Sequence, residues 1–265
     1  TGDKDAKRLE IEAQLLKFDE EFLEPGIVRR RSLLAQFEAG EIEEEELPRD
    51  VLMVLLRNQD KVELNRESLR REIAFYLLAG AHTSATAFTR CMHNIFKWLE
   101  AHPGDADRVR NDRVFVQRCT HETIRLQGSS PTSQRWALAD IDLSSGIKIA
   151  TGDRVTIDLN ETNRSMAMYG DDAEEFNPDR ELGDGVTPWG LSFGQGMHAC
   201  IGQDLAAGLV FDTQSTEDDH LFGLVPVAVQ TMFDHGCRPD PDNPPEMDES
   251  TTRPYFGKYP VIFTG

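Results

Sequence analysis

Apolar residues recur every three or four positions through the first half of the chain, which is the spacing of one face of an α-helix. Residues 5–39 follow this pattern and predict a long helical segment, with a kink or break at Pro25-Gly26. Residues 49–57 predict a short helix whose many apolar positions indicate burial. The acidic run at 41–46 predicts a solvated connector between the two.

A much longer helix is predicted from about residue 66 to residue 100, because this interval has no proline and only one glycine, Gly80. A helix of about 33 residues spans roughly 50 Å, enough to cross a whole domain. Its middle, 73–88, is apolar on nearly all sides, which predicts burial in a large protein. Small residues surround Gly80, so we expect something to approach the backbone closely there.

The second half of the chain has a mixed pattern. A helix is predicted over about 112–126, and alternating apolar positions between residues 134 and 158 predict hairpins. Residues 165–198 are rich in Gly, Pro, Asp and Asn and predict a long ordered coil, a kind of segment that is usually functional. A helix over about 201–211 and a strand at 259–263 complete a mainly helical chain.

Composition and charge narrow the functional classes. The 265 residues carry a net charge of −19, which opposes binding to nucleic acid. No apolar run approaches the roughly 18 residues of a membrane span, and the chain start has no targeting pattern and no initiator Met. Four scattered cysteines form neither a disulfide framework nor a CxxC pair, which indicates a reducing compartment, the cytoplasm.

The densest group of chemically distinctive residues lies between Ser192 and Gly202 and fits three motifs. Residues 190–194 match the G-x-S-x-G turn of serine hydrolases, and residues 194–199 match the G-x-G-x-x-A turn that binds dinucleotides. Both motifs require a strand directly before the turn, and residues 188–190, Pro-Trp-Gly, interrupt any such strand. Both interpretations are therefore disfavoured.

The third interpretation uses Cys200, which lies at the start of the helix predicted to begin near Ile201. The N–H groups and positive dipole end of a helix stabilise a thiolate. Small residues leave room for a flat partner against the backbone; they are Gly194, Gly196, Ala199 and Gly202. A thiolate beneath a flat macrocycle is the arrangement of haem ligation.

At this point the sequence resembles the cytochrome P450 family. The stretch Phe193-x-x-Gly196-x-His198-x-Cys200-x-Gly202 matches the cysteine-loop signature of that family at all its fixed positions. Three further motifs occur in the family's order: Ala79-Gly80-Ala81-His82-Thr83 resembles the oxygen-binding stretch of the central helix, Glu122-Thr-Ile-Arg125 resembles the Glu-x-x-Arg pair, and Phe176-Asn-Pro-Asp-Arg180 resembles the segment that adds a second arginine. The resemblance covers essentially the whole chain.

The resemblance implies a role for each matched residue. Cys200 would be the axial ligand of the iron of haem b, and His198 and Arg135 would hold the haem propionates. Gly80, His82 and Thr83 would handle dioxygen and its protons. The remaining cofactor-binding residues would be Phe193, Gly194, Gly196, Gly202 and Ala79. A structural network bracing the cysteine loop would consist of Glu122, Arg125 and Arg180.

Two departures from the family pattern bear on these expectations. His82 stands where an acidic residue is commonest, but an imidazole can relay protons, and the sterol 14α-demethylase branch looks similar here. Only 79 residues precede Gly80. We therefore expect a partial fold, without the N-terminal β-rich lobe and the early helices of the family.

We expect residues 1–265 to form a single haem-binding domain: the mainly α, C-terminal part of the cytochrome P450 fold, with a long central helix and a small β region. The expected function is that of a haem-thiolate monooxygenase, hydroxylating a small apolar substrate with O2. Electrons would come from a ferredoxin and its reductase or from another donor. An acidic donor would need a locally basic face, for which the candidates are Arg108, Arg110, Arg113 and Arg118.

Two alternatives remain open at this point. One is a haem-thiolate peroxygenase or isomerase, which needs no electron donor. The other is a haem-binding remnant without catalytic activity.

Overall fold

The computed structural model describes residues 4–61, 64–212, 214–250 and 253–264, about half of them helical. The predicted mainly α fold with a small β region is confirmed. The chain divides into two compact units, Thr1–Gly80 and Ala81–Gly265. That both belong to a single haem-binding domain stays a prediction.

The described helices follow the chain order. They are α1 (Lys4–Phe18), α2 (Glu24–Glu38), α3 (Val51–Arg57), α4 (Arg66–Ala101), α5 (Ala106–Asn111), α6 (Arg113–Leu126), α7 (Leu159–Thr162), α8 (Met166–Tyr169), α9 (Gln203–Ala207) and α10 (Leu224–Asp234). The described strands are β1 (Thr132–Trp136), β2 (Ile141–Asp142), β3 (Lys148–Ile149), β4 (Arg154–Asp158), β5 (Cys237–Pro239), β6 (Glu246–Asp248), β7 (Tyr255–Lys258) and β8 (Val261–Phe263).

In the first unit, α1 and α2 are joined without a break. A π-helical turn, Asp19–Leu23, connects them directly before Pro25. A wider turn at this point accommodates the proline, which cannot donate the usual helical hydrogen bond. The core of the unit consists of Leu23, Ile27, Leu52, Leu56 and Leu69. None of the described residues of α1 is fully buried, and Phe18 at its end packs partly buried against this core.

The first turn of α3 is held by a carboxylate that serves two partners. Asp50 caps α3, accepting a hydrogen bond from the Met53 amide at 2.9 Å. Arg30 on α2 donates to the same carboxylate through Nε at 3.0 Å and Nη2 at 2.6 Å. These hydrogen bonds, that of Arg30 above all, lower the pKa of Asp50 below its usual value.

The acidic run before α3 is exposed, as predicted, and forms the short 3-10 turn Glu44–Glu46.

The long helix is confirmed as α4, with 36 residues. Its C-terminal part is buried, with Cys91, Met92 and Ile95 in the core of the second unit. The prediction that its middle is buried is wrong for residues 77–83, which are exposed. A Cβ added at Gly80 would meet no described atom within 4 Å. The expected close approach to this backbone is therefore not made by the described part of the chain.

The second unit is built around α6, which the sequence analysis predicted as a helix over about 112–126. Asp112 caps this helix, accepting a hydrogen bond from the Phe115 amide at 2.8 Å. All but three of its residues are buried, including the polar Gln117, His121 and Arg125. Buried side chains from α4, α6 and α10 form one apolar cluster with Trp189. The helix therefore presents both apolar and polar groups to the interior.

The strands form four antiparallel pairs within the described residues. The predicted hairpin region is confirmed: Thr132 faces Asp158 in the β1–β4 pair, and Ile141 faces Ile149 in the β2–β3 pair. The predicted C-terminal strand is β8, paired with β5. No helix in the described residues has the length and apolar character needed to cross a membrane.

One helix boundary differs from the prediction. The helix predicted over 201–211 is only Gln203–Ala207, because Gly208 has a φ of 77°, the left-handed conformation that ends helices. The sequence analysis also missed α5 and α10. Residues 165–198 are largely coil as predicted, with α8 and a 3-10 turn, Gly196–His198, as the short exceptions.

Replacing the cap residue of α3 tests its double role. Asp50→Ala removes the cap and leaves the Arg30 guanidinium without its partner, so we expect a loss of about 1–2 kcal/mol in the free energy of unfolding at pH 7. Because the folded-state pKa of Asp50 is depressed, its contribution is present above the unfolded pKa and is lost as the pH falls through the folded one. Urea unfolding at several pH values should show the difference from the parent shrinking below about pH 4. The exposed Asp60→Ala is the matched control, and an equal loss in both variants would contradict the prediction.

Candidate functional site

The centre of the second unit is a fully buried guanidinium. Arg125 on α6 has an exposed side-chain fraction of 0%, and its Nε and Nη2 donate to both carboxylate oxygens of Glu122 at 2.7 and 2.6 Å. Its Nη1 donates to the carbonyls of Asn163 and Ala173 at 2.6 and 2.7 Å. The ring of Tyr169 lies 4.7 Å from the guanidinium. The buried charge is thus surrounded by acceptors from several segments.

Arg180 joins this network from the coil after α8. It donates through Nε and Nη2 to Glu122 Oε1, each at 3.2 Å, and it also binds the Asp172 carboxylate and the Tyr169 carbonyl. The Asn177 amide donates to the same Glu122 oxygen at 3.1 Å. Hydrogen bonds from Asn177 and Arg180 lower the pKa of Asp172. The three residues that the sequence analysis grouped as structural therefore form one continuous ion-pair network.

Asn163 connects this network to the segment that precedes Cys200. Its side-chain amide donates to the Arg125 carbonyl at 3.0 Å and to Ser192 Oγ at 2.9 Å, and its Oδ1 accepts from the Leu191 amide at 2.7 Å. Ser192 Oγ in turn donates to the Ile124 carbonyl at 2.6 Å. Gly190 leaves the space for this arrangement, because a Cβ there would lie 2.2 Å from Asn163 Oδ1. The start of the cysteine loop is therefore fixed to α6.

The cysteine loop turns through two glycines in the left-handed conformation, Gly194 (φ 71°) and Gly196 (φ 74°). The Cys200 amide donates to the Phe193 carbonyl at 2.8 Å, which closes the loop. The Phe193 ring packs against the buried Trp189 ring at 5.7 Å, and Trp189 contacts the His121 ring at 5.1 Å. The base of the loop thus belongs to the core, and the loop itself carries Cys200 outward.

The tip of the loop is open to solvent and partly apolar. Cys200 is a free, exposed cysteine, and the neighbouring Met197 and Ile201 are 93% and 83% exposed. A Cβ added at Gly196 would meet no described atom within 4 Å, whereas one at Gly202 would lie 3.9 Å from Cys200 Sγ. His198 is also exposed, in the 3-10 turn. A flat apolar group could therefore lie against this surface with access to the thiol.

Arg135 lies on β1, away from the charged network. Its Nη1 donates to Ser133 Oγ at 2.7 Å and to the Gln134 carbonyl at 2.8 Å, both on its own strand. The side chain is exposed. Its other guanidinium nitrogens have no hydrogen bond among those described, so the charge remains accessible to an anionic group.

The predicted oxygen-binding stretch lies on the exposed part of α4. The His82 ring packs edge-on against Tyr255 at 5.3 Å, and the Thr83 carbonyl accepts a hydrogen bond from Ser129 Oγ at 3.0 Å. Ala79 and Gly80 are exposed one turn earlier. The strand β7 and the linker between α6 and β1 thus hold this turn of the helix in place.

The two disfavoured motifs lack the structural context they need. In the described chain, residues 187–194 form successive turns, with no strand before Ser192 or before Gly194. The hydroxyl of Ser192 donates to a backbone carbonyl and accepts from Asn163, so it is used structurally. The geometry gives neither a nucleophile elbow nor a dinucleotide-binding turn.

A family model matches most of the chain. Residues 12–210 match the model described as Cytochrome P450. The chain belongs to the cytochrome P450 family. The resemblance inferred from the four motifs is therefore confirmed at the level of the family.

Individual relatives agree with this assignment. Over 176 residues the chain is 27% identical to the bifunctional cytochrome P450/NADPH–P450 reductase 2 of Bacillus subtilis (strain 168), covering 60% of this chain and 17% of that protein. It is 27% identical over 161 residues to the putative cytochrome P450 137 of Mycobacterium tuberculosis, covering 58% and 33%. The chain thus spans about a third or less of the length of these curated relatives.

Solved structures show the same fold. The crystal structure of CalO2 aligns with a TM-score of 0.71 at 20% identity, covering 99% of this chain and 57% of that one. The crystal structure of P450BioI, in complex with an acyl carrier protein ligated to hexadec-9Z-enoic acid, aligns with a TM-score of 0.60 at 19% identity. The predicted fold class, part of the cytochrome P450 fold, is therefore confirmed.

Cytochromes P450 bind haem through a cysteine thiolate on the iron. The cysteine loop of this chain fits such a group on three counts. It presents an exposed thiol, it has open space over Gly196, and it carries exposed apolar side chains beside the thiol. The accessible charge of Arg135 and the exposed His198 suit carboxylate groups at the edge of the macrocycle.

The sequence analysis missed Asn163 and the structural role of Ser192. Both are polar residues whose importance lies in backbone groups they bind 28 to 68 residues away along the chain. A partial signal was present, because Asn163 lies shortly after the hairpin region and Gly190 has a positive φ that favours glycine. Neither feature identifies the backbone groups that Asn163 and Ser192 bind, because these groups come close only in the folded chain.

Two of the four arginines of the expected basic face, Arg108 and Arg118, are paired with acidic neighbours. Arg108 donates to both carboxylate oxygens of Asp179 at 2.9 and 2.7 Å, and Arg118 lies 3.5 Å from Asp179. These contacts, first that of Arg108, lower the pKa of Asp179. The guanidinium of Arg113 stacks on Phe222 at 4.2 Å. Much of the positive charge expected there is therefore offset locally.

Asn163 offers a direct test of the connection between α6 and the cysteine loop. Asn163→Ala removes three hydrogen bonds, one buried and two partly buried, and leaves the Leu191 amide without an acceptor, so we expect a loss of about 2–4 kcal/mol in the free energy of unfolding. Urea unfolding measures this loss, and hydrogen exchange should show faster exchange in residues 190–202. The half-buried Asn160→Ala, on the short helix α7 that Asn163 follows, is the control. Unchanged exchange in the loop would show that Asn163 does not hold it.

Proposed function

We propose that this chain is the haem-binding part of a haem-thiolate monooxygenase in which Cys200 supplies the axial thiolate. The observation that carries the proposal is the placement of Cys200, an exposed thiol on a glycine-turned loop whose base is bonded to the buried core. A ligand needs this combination, because the sulfur must be accessible while its backbone position is fixed. Family membership gives that cysteine its chemical context.

The residues around Cys200 would hold and orient the cofactor. Gly194, Gly196 and Gly202 keep the loop thin, so that the macrocycle can approach the backbone. Phe193 supports the loop from the core side. His198 and Arg135 are proposed donors to the haem propionates, where charge-assisted hydrogen bonds are strong.

The haem, when bound, supplies the activation of O2 for insertion of an oxygen atom into a substrate. The chain's own part in that chemistry falls to the stretch from Ala79 to Thr83. Ala79 has a small side chain and Gly80 has none, which leaves space beside the helix, and the Thr83 hydroxyl is proposed to hold and pass protons there. His82 adds an imidazole that can relay protons near neutral pH.

The substrate proposed for this site is small and apolar. Phe75, Leu77 and Leu78 project from α4 beside this stretch and are 56–71% exposed. Exposed large apolar side chains grouped on one helix segment are typical of binding surfaces. The proposal of an apolar substrate rests on this group of residues.

Electrons are proposed to come from a ferredoxin and its reductase or another donor, in the cytoplasm. The proposed docking face around Arg108 and Arg118 must exchange intramolecular pairs with Asp179 for contacts to an acidic partner. Such exchange costs part of the attraction, so docking there would be weak and strongly dependent on salt. A single domain covering residues 1–265 is part of the same proposal.

Haem reconstitution tests the proposal. The purified chain, titrated with haem, reduced with dithionite and exposed to CO, should show the red-shifted Soret band typical of thiolate ligation. Cys200→Ala should lose that band while keeping its far-UV circular dichroism, because the thiol is exposed and does not pack in the core. Cys237→Ala, which removes a different thiol, is the matched control and should keep the band.

Two outcomes would contradict the proposal. Failure of the folded parent chain to take up haem would remove the cofactor site, and persistence of the red-shifted band in Cys200→Ala would assign the ligand elsewhere. Turnover with hydrogen peroxide and no reductase would favour the peroxygenase alternative. Haem uptake without turnover by either route would favour the non-catalytic one.

A further inference from the structure

A short repeat marks the region after the cysteine loop. The tripeptide Gly-Leu-Val occurs at 208–210 and again at 223–225, fifteen residues later. The first copy follows the end of α9, and the second copy contains the start of α10. Residues 209–223, here called the excursion, therefore lie between α9 and α10. The same Gly-Leu-Val sequence occurs where the chain leaves α9 and where it enters α10.

The two ends of the excursion meet. The Leu209 amide donates to the Leu221 carbonyl at 2.9 Å. A Cβ built on Gly223 would lie 2.3 Å from the Gly208 backbone nitrogen, and both glycines have positive φ, 77° and 87°. The chain thus leaves the end of α9 and returns to the same point before α10 begins.

The buried residues of α9 and α10 have the spacing of one helix. Those on α10 are Val225, Pro226, Val229 and Phe233, and the one on α9 is Ala207. When the fifteen residues of the excursion are left out of the count, the four lie three, four, seven and eleven positions after Ala207. This is the stripe of a single amphipathic helix. Both helices also pack against α6.

A joined helix would contain one carbonyl without a helical donor, that of Ala207, and side chains of α6 already donate to it. Pro226 would stand four positions after Ala207, and because proline has no N–H, the Ala207 carbonyl would lose its helical partner. In the structure that carbonyl accepts hydrogen bonds from Gln117 Nε2 at 3.1 Å and His121 Nε2 at 2.9 Å. Burial lowers the pKa of His121 to about 4, so the imidazole is neutral at pH 7 and donates from Nε2. The side chains of α6 thus replace the backbone N–H donor that the proline lacks.

The excursion rests on α6 through a few side chains. Gln117 Nε2 also points to the Leu209 and Phe222 carbonyls at 2.9 and 3.1 Å, and its Oε1 accepts from His220 Nε2 at 3.1 Å. Val210 and Phe211 form one wall of a cavity of about 430 Å³, whose other walls come from α6 and residues 177–182. The excursion therefore supplies one wall of this cavity through Val210 and Phe211.

We propose that α9 and α10 are two parts of one helix, interrupted by the inserted excursion, whose Val210 and Phe211 form one wall of this cavity and which is not needed for the fold. Joining Gly208 to Leu224 would let the Leu224 and Val225 amides donate to the Leu205 and Ala206 carbonyls. The buried stripe would keep its contacts with α6. The inference does not depend on haem binding, because it concerns only packing within the second unit.

The test is a deletion of the excursion, Δ209–223, with the rest of the chain unchanged. We expect a cooperatively folding protein with a melting temperature equal to or above that of the parent, since closing the loop costs entropy that the deletion removes. Amide hydrogen exchange at Leu224 and Val225 should slow at least about tenfold, because these two amides gain helical hydrogen bonds.

The control is a deletion one residue shorter, Δ209–222. It removes nearly the same residues but turns α10 by about 100° relative to α9, so the buried stripe is broken. We expect this variant to melt at a clearly lower temperature than Δ209–223. Loss of cooperative unfolding in Δ209–223, equal stability of the two deletions, or unchanged exchange at the junction would each overturn the proposal.

Discussion

The fully buried guanidinium of Arg125 is the constraint on which the second unit depends. Removing such a charge from water costs several kcal/mol, and the cost is recovered only if every donor finds an acceptor. The acceptors come from α6 itself, from the end of α7 and from the coil after α8. Arg180 adds a second cation to Glu122, and Asp172 adds a second anion. Segments without regular structure are thus held in place by charge and hydrogen bonds.

The same constraint reaches the cysteine loop through Asn163. Its carbonyl accepts from Arg125, and its side chain binds the backbone of Arg125 and Leu191 as well as the Ser192 hydroxyl. A disturbance of the ion-pair network would therefore shift the loop that presents Cys200. A metal ligand needs such outer support, because a sulfur on a freely moving loop binds weakly and without fixed geometry. The arrangement combines a rigid base with an exposed tip.

The side chains of α6 donate hydrogen bonds to two different parts of the second unit. Arg125 satisfies carbonyls of the segments that support the cysteine loop, while Gln117 and His121 satisfy the carbonyl at the end of α9. Buried polar groups are stable only when paired, so each of these side chains fixes the backbone it binds. This explains why a single helix with many buried polar residues can organise coil and interrupted helix alike.

The sequence by itself determined what depends on local spacing: the long α4, the helix α6, the hairpin region between residues 134 and 158 and the family to which the four motifs belong. These follow from periodicity and fixed motif spacing, which act between near neighbours. Only the tertiary structure decided the exposure of residues 77–83, the early end of α9 at Gly208 and the partners of Asn163 and Gln117. Each of these depends on carbonyls or surfaces brought together from distant parts of the chain. Such partners leave no periodic trace in the sequence, because a hydrogen bond to a backbone carbonyl does not depend on the residue that carries it.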